Sequence, residues 1–231
     1  MIEGYGLSLS RGHNLIINAL DVTVDQGSAL IVRGPNGSGK TTLLRAMAGL
    51  LPPQRGMISL NGFSLDEDRI NALASMIYIG HRDGFSGHLT PLENLFLWAT
   101  GRGHDAAITK AAIPDALSRL GIEDLIDTPL YTMSEGQRKR CGLARLSLSL
   151  SLALNPALSF NHKKSDHSAM KAPCWILDEP LTALDDDTIK DVTTLLDEHT
   201  RQGGAVLLSS HHDIALPSAT IMHLSEDGDA S

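Results

Sequence analysis

The chain has 231 residues, 42% of them hydrophobic, which is enough for one α/β domain or a domain with a small lobe. Its formal net charge of −8 gives no electrostatic reason to expect nucleic acid as the main partner. No apolar run approaches the roughly 20 residues of a transmembrane helix, and the N-terminus lacks a signal-peptide pattern, so we expect a soluble protein. Cys141 and Cys174 form no C-x-x-C pair and are expected to be small buried residues in a reducing compartment.

The first third of the chain is predicted to form short strands around one glycine-rich loop. Residues 6–10 and 20–24 alternate between apolar and polar side chains, as half-buried strands do. Residues 29–32 are all apolar and predict a buried strand, and residues 57–60 predict another strand that ends in the turn at Asn61. The short strands fit an antiparallel sheet that flanks the lobe carrying the loop.

From residue 89 to about residue 154 the pattern indicates helices. Thr90, Pro91 and Glu93 have the order of an N-cap, a first helical residue and the third residue of a capping box. Residues 106–120 form a second amphipathic pattern. We therefore predict a compact helical lobe inserted between two halves of a sheet.

The stretch at residues 146–152 alternates leucine and serine, which by itself favours a strand. It directly continues a helix that is expected to begin at residues 134–137, so we predict a helical extension that ends near Pro156. Residues 159–173 are polar and predict an exposed loop.

Three apolar runs, at residues 75–79, 174–177 and 205–208, predict buried strands. Between the last two, residues 187–201 predict an amphipathic helix that ends before a pair of glycines. The acidic residues 226–229 are expected to be a solvated tail.

The strongest signal is the segment G-P-N-G-S-G-K-T-T, which lies between the strand at residues 29–32 and a helical run. This is the context in which G-x-x-x-x-G-K-[ST] indicates a phosphate-binding loop, because its backbone N–H groups and the helix N-terminus point at an anion. Lys40 is expected to reach the β- and γ-phosphates of a nucleotide and the Thr41 hydroxyl to ligate Mg²⁺. The nucleotide-binding residues predicted in this segment are Gly34, Pro35, Asn36, Gly37, Ser38, Gly39, Lys40, Thr41 and Thr42.

Polar residues follow three of the predicted strands, at His81, at Asp178 and Glu179, and at His211. In a doubly wound sheet, ligands bind beyond the carboxyl ends of the strands, so these side chains are expected to gather at the phosphates. We predict that Asp178 positions Mg²⁺ and that Glu179 is the general base for the attacking water. Without the glycine loop, an Asp-Glu-Pro sequence would simply indicate the start of a loop.

The order of five motifs resembles that of the ATP-binding subunit of an ABC transporter. They are the glycine loop, the Ser134–Gln137 turn, Ile176–Pro180, Leu184-Asp185 and His211. The resemblance implies an α/β fold with a P-loop NTPase (RecA-like) core, a flanking antiparallel β subdomain and an inserted helical subdomain. Placed on this chain, it implies one nucleotide-binding domain with a core at 1–85 and 173–231, a helical subdomain at 86–156 and a loop insertion at 157–172.

The same resemblance implies that the protein binds ATP and Mg²⁺, hydrolyses ATP, and works as a homodimer on membrane permease subunits. It implies that Ser134, Gly136 and Gln137 close over the γ-phosphate of ATP on the opposite subunit, and a helix N-terminus suits this role. Asp185 is implied in the loop that crosses the dimer interface. His211 is implied as the switch histidine near the γ-phosphate, which would place it with Glu179 and Lys40 among the catalytic residues.

A narrower match is to the ATPase subunits of haem exporters in cytochrome c maturation, the CcmA type. It rests on I-G-H-R-D-G at residues 79–84, on L-T-P-L-E-N-L at 89–95, and on S-x-G-Q-R-K-R at 134–140. The match implies a peripheral protein at the cytoplasmic face of the inner membrane. Haem as the cargo follows only from this resemblance, since no residue of this chain indicates the cargo. The resemblance implies that this subunit handles haem only indirectly.

Four features depart from the family pattern. His81 stands where a Mg²⁺-binding glutamine is usual, and Glu135 places a carboxylate in the turn that should face a phosphate. Arg11 occupies the position of the aromatic residue that stacks on adenine, although a guanidinium can also stack. Between Arg145 and Trp175 the chain is longer than the family pattern by about 20 residues.

Other functions remain open at this stage. His81 and Glu135 suggest a nucleotide-switched module with weak hydrolysis, and an ABC ATPase of another small-molecule exporter fits the same motifs. ABC proteins of DNA repair or translation carry two such domains or long coiled coils, which this chain lacks. A phosphate-loop kinase or GTPase leaves the Ser134–Gln137 turn unexplained.

Overall fold

The computed structural model describes residues 1–12, 14–81, 84–153 and 172–225. These residues divide into two compact units, a sheet unit within 1–81, 171–180 and 196–231, and a helical unit within 82–170 and 181–195. The helical unit thus includes residues 181–195, a stretch that the predicted division assigns to the core. Most of the predicted loop at 157–172, the end of the predicted helix near Pro156 and the acidic tail lie outside the described residues.

Nine strands are described. They are β1 Ile2–Arg11, β2 Asn14–Val24, β3 Ala29–Arg33, β4 Arg55–Leu60, β5 Phe63–Ser64, β6 Met76–Ile79, β7 Cys174–Asp178, β8 Val206–Ser209 and β9 Ala219–His223. The α-helices in the same ranges are α1 Lys40–Met47, α2 Arg69–Ala74, α3 Pro91–Gly101, α4 Ala106–Ser118, α5 Glu135–Ala153 and α6 Asp186–Arg201. None of the helices in these ranges is both long enough and apolar enough to cross a membrane.

One of the two sheets in the sheet unit is four-stranded and antiparallel, in the order β2-β1-β4-β5. In β2, every second residue from Leu20 to Val24 is buried, because the pleat turns alternate side chains toward the core. Leu60 pairs with Phe63 across the turn at Asn61. The predicted antiparallel sheet is confirmed.

The second sheet is parallel, in the order β6-β7-β8-β3-β9. Strands β7 and β8 are buried at every position, which explains their unbroken apolar runs, since both faces of a parallel sheet are covered. The strands run in one direction, so their carboxyl ends share one edge. The loops that follow β3, β6, β7 and β8 therefore begin at that edge.

The helical unit confirms the predicted α3 start. Thr90 Oγ1 accepts from Glu93 N at 3.2 Å, and Glu93 Oε2 accepts from Thr90 N at 2.9 Å. The leucine–serine stretch 146–152 is helical, as predicted. Its period-two pattern is compatible with a helix because almost the whole circumference is buried there, and Ser151 bonds back to the carbonyl of Ser147.

A buried stack of two rings joins β7 to the end of α6, and no local pattern in the sequence predicts it. The rings of Trp175 and His199 lie parallel with centroids 3.7 Å apart, and His199 Nε2 is 2.8 Å from the carbonyl oxygen of Pro173. A Cβ atom at Gly204 would collide with the imidazole, so the close approach requires glycine. Burial lowers the pKa of His199 to about 4. Cys141 and Cys174 are buried, as predicted, and neither forms a disulfide.

Candidate nucleotide-binding site

The glycine-rich loop connects the end of β3 to α1, so the predicted strand–loop–helix order is present. A Cβ atom at Gly34 would collide with the carbonyl oxygen of Leu224 and lie 2.7 Å from Ser38 Oγ, so only glycine fits here. Ser38 Oγ is buried and has no hydrogen-bond partner among the described residues. An unpaired buried hydroxyl is costly unless a ligand satisfies it, which fits a loop made to wrap an anion.

Lys40 is the first residue of α1, and its ammonium group lies against the loop that precedes it. Lys40 Nζ donates to the carbonyl oxygens of Gly34 at 2.7 Å and Pro35 at 3.0 Å, and the residue is buried. The positive charge is therefore held at the loop rather than in solvent. An ammonium group in this place could exchange a carbonyl for a phosphate oxygen with little movement of its stem.

At the carboxyl edge of the sheet, Asp178 is 1% exposed and accepts two hydrogen bonds at Oδ1. Thr41 Oγ1 donates to this oxygen at 3.1 Å and Ser209 Oγ at 2.9 Å. Ser209 is the register partner of Asp178 on the neighbouring strand, which explains why the two side chains meet.

These oxygens fit Mg²⁺. A hydroxyl and a carboxylate are the hard ligands that this ion prefers, and it is usually bound by one or two carboxylates together with phosphates and waters. No cluster of three or more His, Cys, Asp or Glu residues suited to a metal occurs in the described ranges. Mg²⁺ that is bound together with a nucleotide does not require such a cluster, because phosphates and waters supply its other ligands. Thr41 and Asp178 are therefore enough protein ligands for it.

Glu179 follows Asp178 in a conformation that is unusual for a glutamate. Its φ is 50°, in the left-handed region, and its N–H donates to Ser209 Oγ at 2.9 Å. Its Oε1 lies 3.3 Å from His211 Nε2, and the Glu179 side chain is 20% exposed. Backbone strain held in place by neighbours is common at functional sites, because the strained position aims a side chain.

His81 and Tyr78 lie at the end of the neighbouring strand β6. His81 is exposed, two residues beyond the last residue of the strand. Burial, and after it the charge of Asp178, raise the pKa of Tyr78 to about 12. Tyr78 is therefore a neutral phenol at physiological pH.

In the helical unit, the predicted Ser134–Gln137 turn begins α5 and is closed by two reciprocal bonds. Ser134 Oγ accepts from Gln137 N at 3.2 Å, and Gln137 Oε1 accepts from Ser134 N at 2.9 Å. This is a capping box made with glutamine. Ser134 and Glu135 are both exposed.

Asp185 is anchored within the same unit. Its Oδ1 accepts from Thr188 N at 2.8 Å, and its other carboxylate oxygen pairs with Arg140 of α5. The hydrogen bonds from Thr188 lower the pKa of Asp185. Gly136 faces the same loop, since a Cβ atom there would lie 3.0 Å from the carbonyl oxygen of Ala183. The Ser134–Gln137 turn and the Asp185 loop are therefore in contact.

Two residues that hold the groups of this site in place were not predicted from the sequence. Ser209 links Asp178 to the backbone of Glu179, and Arg33 bonds to the loop that follows His211. A polar residue at the carboxyl end of a buried strand was the available signal for Ser209. No local pattern singled out Arg33.

Comparisons with known proteins agree with this architecture. Residues 17–152 match the family model described as "ABC transporter". A cytochrome c biogenesis ATP-binding export protein CcmA of Aromatoleum aromaticum is 37% identical, over 98% of this chain and 96% of that protein.

Two solved structures share the fold. An ATP-binding subunit of an ABC transporter has a TM-score of 0.82 at 23% identity and is covered to 89% by the whole of this chain. The dimeric bacterial ABC transporter cassette MJ0796 has a TM-score of 0.79 at 20% identity and is covered to 98%.

The fold and the residues at its phosphate loop define an ABC-type ATPase cassette. Family assignment follows from the full-length relatives. The chain belongs to the ABC transporter family and, within it, to the cytochrome c biogenesis ATP-binding export proteins of the CcmA type.

Proposed function

We propose that this chain is the ATP-binding and ATP-hydrolysing subunit of a membrane export complex that serves cytochrome c biogenesis. The names of its relatives support this assignment. In this proposal two copies work as a pair on permease subunits at the cytoplasmic face of the inner membrane. Haem is the molecule that the complex exports or delivers, and this chain acts on it only indirectly.

One observation carries the catalytic part of the proposal. The hydroxyl of Thr41, in the phosphate loop, lies 3.1 Å from the carboxylate of Asp178, which comes from a strand far away in the sequence. A loop that binds phosphate for another purpose has no need of a buried carboxylate held at its helix start. Phosphate-loop NTPases hold Mg²⁺ with this pair of groups, a hydroxyl of the loop and a carboxylate of a strand.

The residues have separate roles in this proposal. Residues 34–42, with Lys40 among them, bind the phosphates. Thr41 and Asp178 are available to hold Mg²⁺, which would neutralise charge on the β- and γ-phosphates. Glu179 accepts a proton from the attacking water. His211, 3.3 Å from Glu179, contacts the γ-phosphate side of the site and orients the carboxylate.

The second copy completes the site. Its exposed Ser134, with Gly136 and Gln137, closes over the γ-phosphate, while Asp185 lies in the loop that crosses between the copies. The dimeric cassette structure supports pairing of such domains. A lone chain is therefore expected to bind ATP and to hydrolyse it poorly.

A nucleotide-switched module with weak hydrolysis is the second candidate. Two observations favour it. His81 is exposed in the place of a metal-binding amide, and the exposed carboxylate of Glu135 would repel a phosphate.

The test is the ATPase rate of the complex purified through this chain, with Glu179→Gln as the variant. We expect kcat to fall by at least about 100-fold, because the general base is lost, while ATP affinity is kept. Glu67→Gln, an exposed carboxylate in the loop before α2, is the matched control and should hydrolyse normally.

Two results would change the proposal. Unchanged turnover in Glu179→Gln would overturn the catalytic role of Glu179, and no turnover in the wild-type complex would leave the switch as the better account. Purification with an unrelated permease would overturn the haem assignment and leave the ATPase assignment intact.

A further inference from the structure

The loop that carries His211 is bonded to the strand that leads into the phosphate loop, through Arg33. This arginine is the last residue of β3 and directly precedes Gly34. Its Nη2 atom donates to the carbonyl oxygen of His212 at 3.1 Å and to Asp213 Oδ1 at 2.8 Å. One guanidinium nitrogen thus joins the two residues that follow the switch histidine.

The residue before His211 is anchored to the same strand. Ser210 N donates to the carbonyl oxygen of Val32 at 3.4 Å, and Ser210 Oγ accepts from His212 N at 3.0 Å. His211 therefore lies between two residues whose backbones are bonded to the end of β3. Its own ring is 53% exposed and meets Glu179 at 3.3 Å.

We propose that Arg33 is a positioning residue that holds the His211 loop against β3, so that the imidazole stays aligned with Glu179. The inference rests on the proposed ATPase function and adds to it a residue with no direct contact to the reacting atoms. Both hydrogen bonds come from one nitrogen, Nη2, of a guanidinium that keeps its positive charge at any physiological pH. Its effect should appear in the rate of hydrolysis, since His211 serves that step.

A plain surface ion pair is the competing explanation. Asp213 is 97% exposed and Arg33 is 24% exposed, and exposed pairs contribute about 0–1 kcal/mol to stability. The charge pair alone therefore explains little. The bond to the His212 carbonyl is the contact that fixes the loop, because it binds the backbone rather than a mobile side chain.

The experiment measures kcat for ATP and the dissociation constant of ATP in the purified complex, for Arg33→Gln and Asp213→Asn. Arg33→Gln should lower kcat about tenfold, since small misplacements of catalytic groups are costly, and change ATP affinity by less than about twofold. Asp213→Asn keeps the carbonyl contact and should stay within about twofold of wild type. Arg201→Gln, which breaks the exposed pair with Asp197 on α6, is the control and should be fully active.

A double variant tests whether Arg33 acts through His211. In a His211→Ala background, Arg33→Gln should change the residual rate by less than about twofold, because the group that it positions is gone. The inference is overturned if the full tenfold loss persists in that background. It is also overturned if ATP affinity falls as much as kcat, which would indicate an effect on the phosphate loop.

These outcomes are separable from failure of the proposed function. If the wild-type complex shows no turnover, the ATPase proposal fails whatever Arg33 does. If the wild type is active, Glu179→Gln is inactive and Arg33→Gln equals wild type, only the positioning role is wrong. Should Arg33→Gln fail to fold, Arg33→Lys replaces it and is expected to lie between Arg33→Gln and wild type in kcat.

Discussion

The sheet unit and the helical unit hold their polar groups in different ways. At the carboxyl edge of the sheet, Asp178 is bonded to Thr41 and Ser209, which are 137 and 31 positions away in the sequence. At the start of α5, Ser134 and Gln137 bond to each other over three positions and remain close to solvent. The first set is assembled by the fold, whereas the second is a local turn with an exposed face.

The polar groups of the sheet edge therefore depend on the fold for their positions, whereas those of the Ser134 turn depend only on the local backbone. The sheet edge already has its carboxylates, hydroxyls and histidine within hydrogen-bonding distance or close to it. At the Ser134 turn the side chains already satisfy backbone groups at the start of their own helix, and Ser134 itself stays exposed. Long-range bonds should therefore matter for the stability of the sheet unit, and local bonds should matter much less for the helical unit.

The largest expected effect on stability comes from His199. Burial lowers its pKa to about 4, below the ordinary value of 6.5, so the folded state favours the neutral ring. Above about pH 6.5 the ring is neutral in both states and the free energy of unfolding does not depend on it. As pH falls from about 6.5 to about 4, only the unfolded state takes up the proton readily, and the free energy of unfolding drops by about 3 kcal/mol. Denaturant unfolding of His199→Phe, which can keep the stack on Trp175, should show a weaker dependence on pH over this window.

The matched control for this experiment is His88→Gln, an exposed histidine of the helical unit, which should keep the full dependence. An equally steep curve in His199→Phe would assign the pH dependence to other groups.

A pair of serine substitutions compares the two regions directly. Ser209→Ala removes a buried hydroxyl that bonds both Asp178 and the N–H of Glu179, and should cost about 2 kcal/mol of unfolding free energy. Ser134→Ala removes an exposed cap and should cost about 1 kcal/mol. Thermal and urea unfolding would measure both values. Equal costs, or a larger cost at Ser134, would break the distinction between the regions.

The sequence was informative wherever a site residue lies beside a regular apolar run. Asp178 and Glu179 follow a buried strand, and Thr41 opens a helix after a glycine loop, so local patterns were enough to select them. The leucine–serine stretch 146–152 was harder, because its period contradicts its structure. Its position after a helix start resolved it.

Ser209, Arg33 and His199 could not be predicted in their roles, because each depends on a neighbour that is distant in the sequence. Ser209 meets Asp178 through the register of β7 and β8, and Arg33 reaches His212 because β3 lies beside β8. A single sequence does not state which strands are adjacent. The grouping of residues 181–195 with the helical unit depends in the same way on contacts that are distant in the chain.

The central claim is that each ATP site combines the sheet edge of one copy with the Ser134 turn of another. It is tested most directly by mixing two inactive variants, Glu179→Gln and Ser134→Glu, and measuring ATP hydrolysis by the mixed complex. Half of the dimers are then mixed and each has one intact site, so we expect about a quarter of the wild-type rate. A mixture no more active than its two parents would contradict the account.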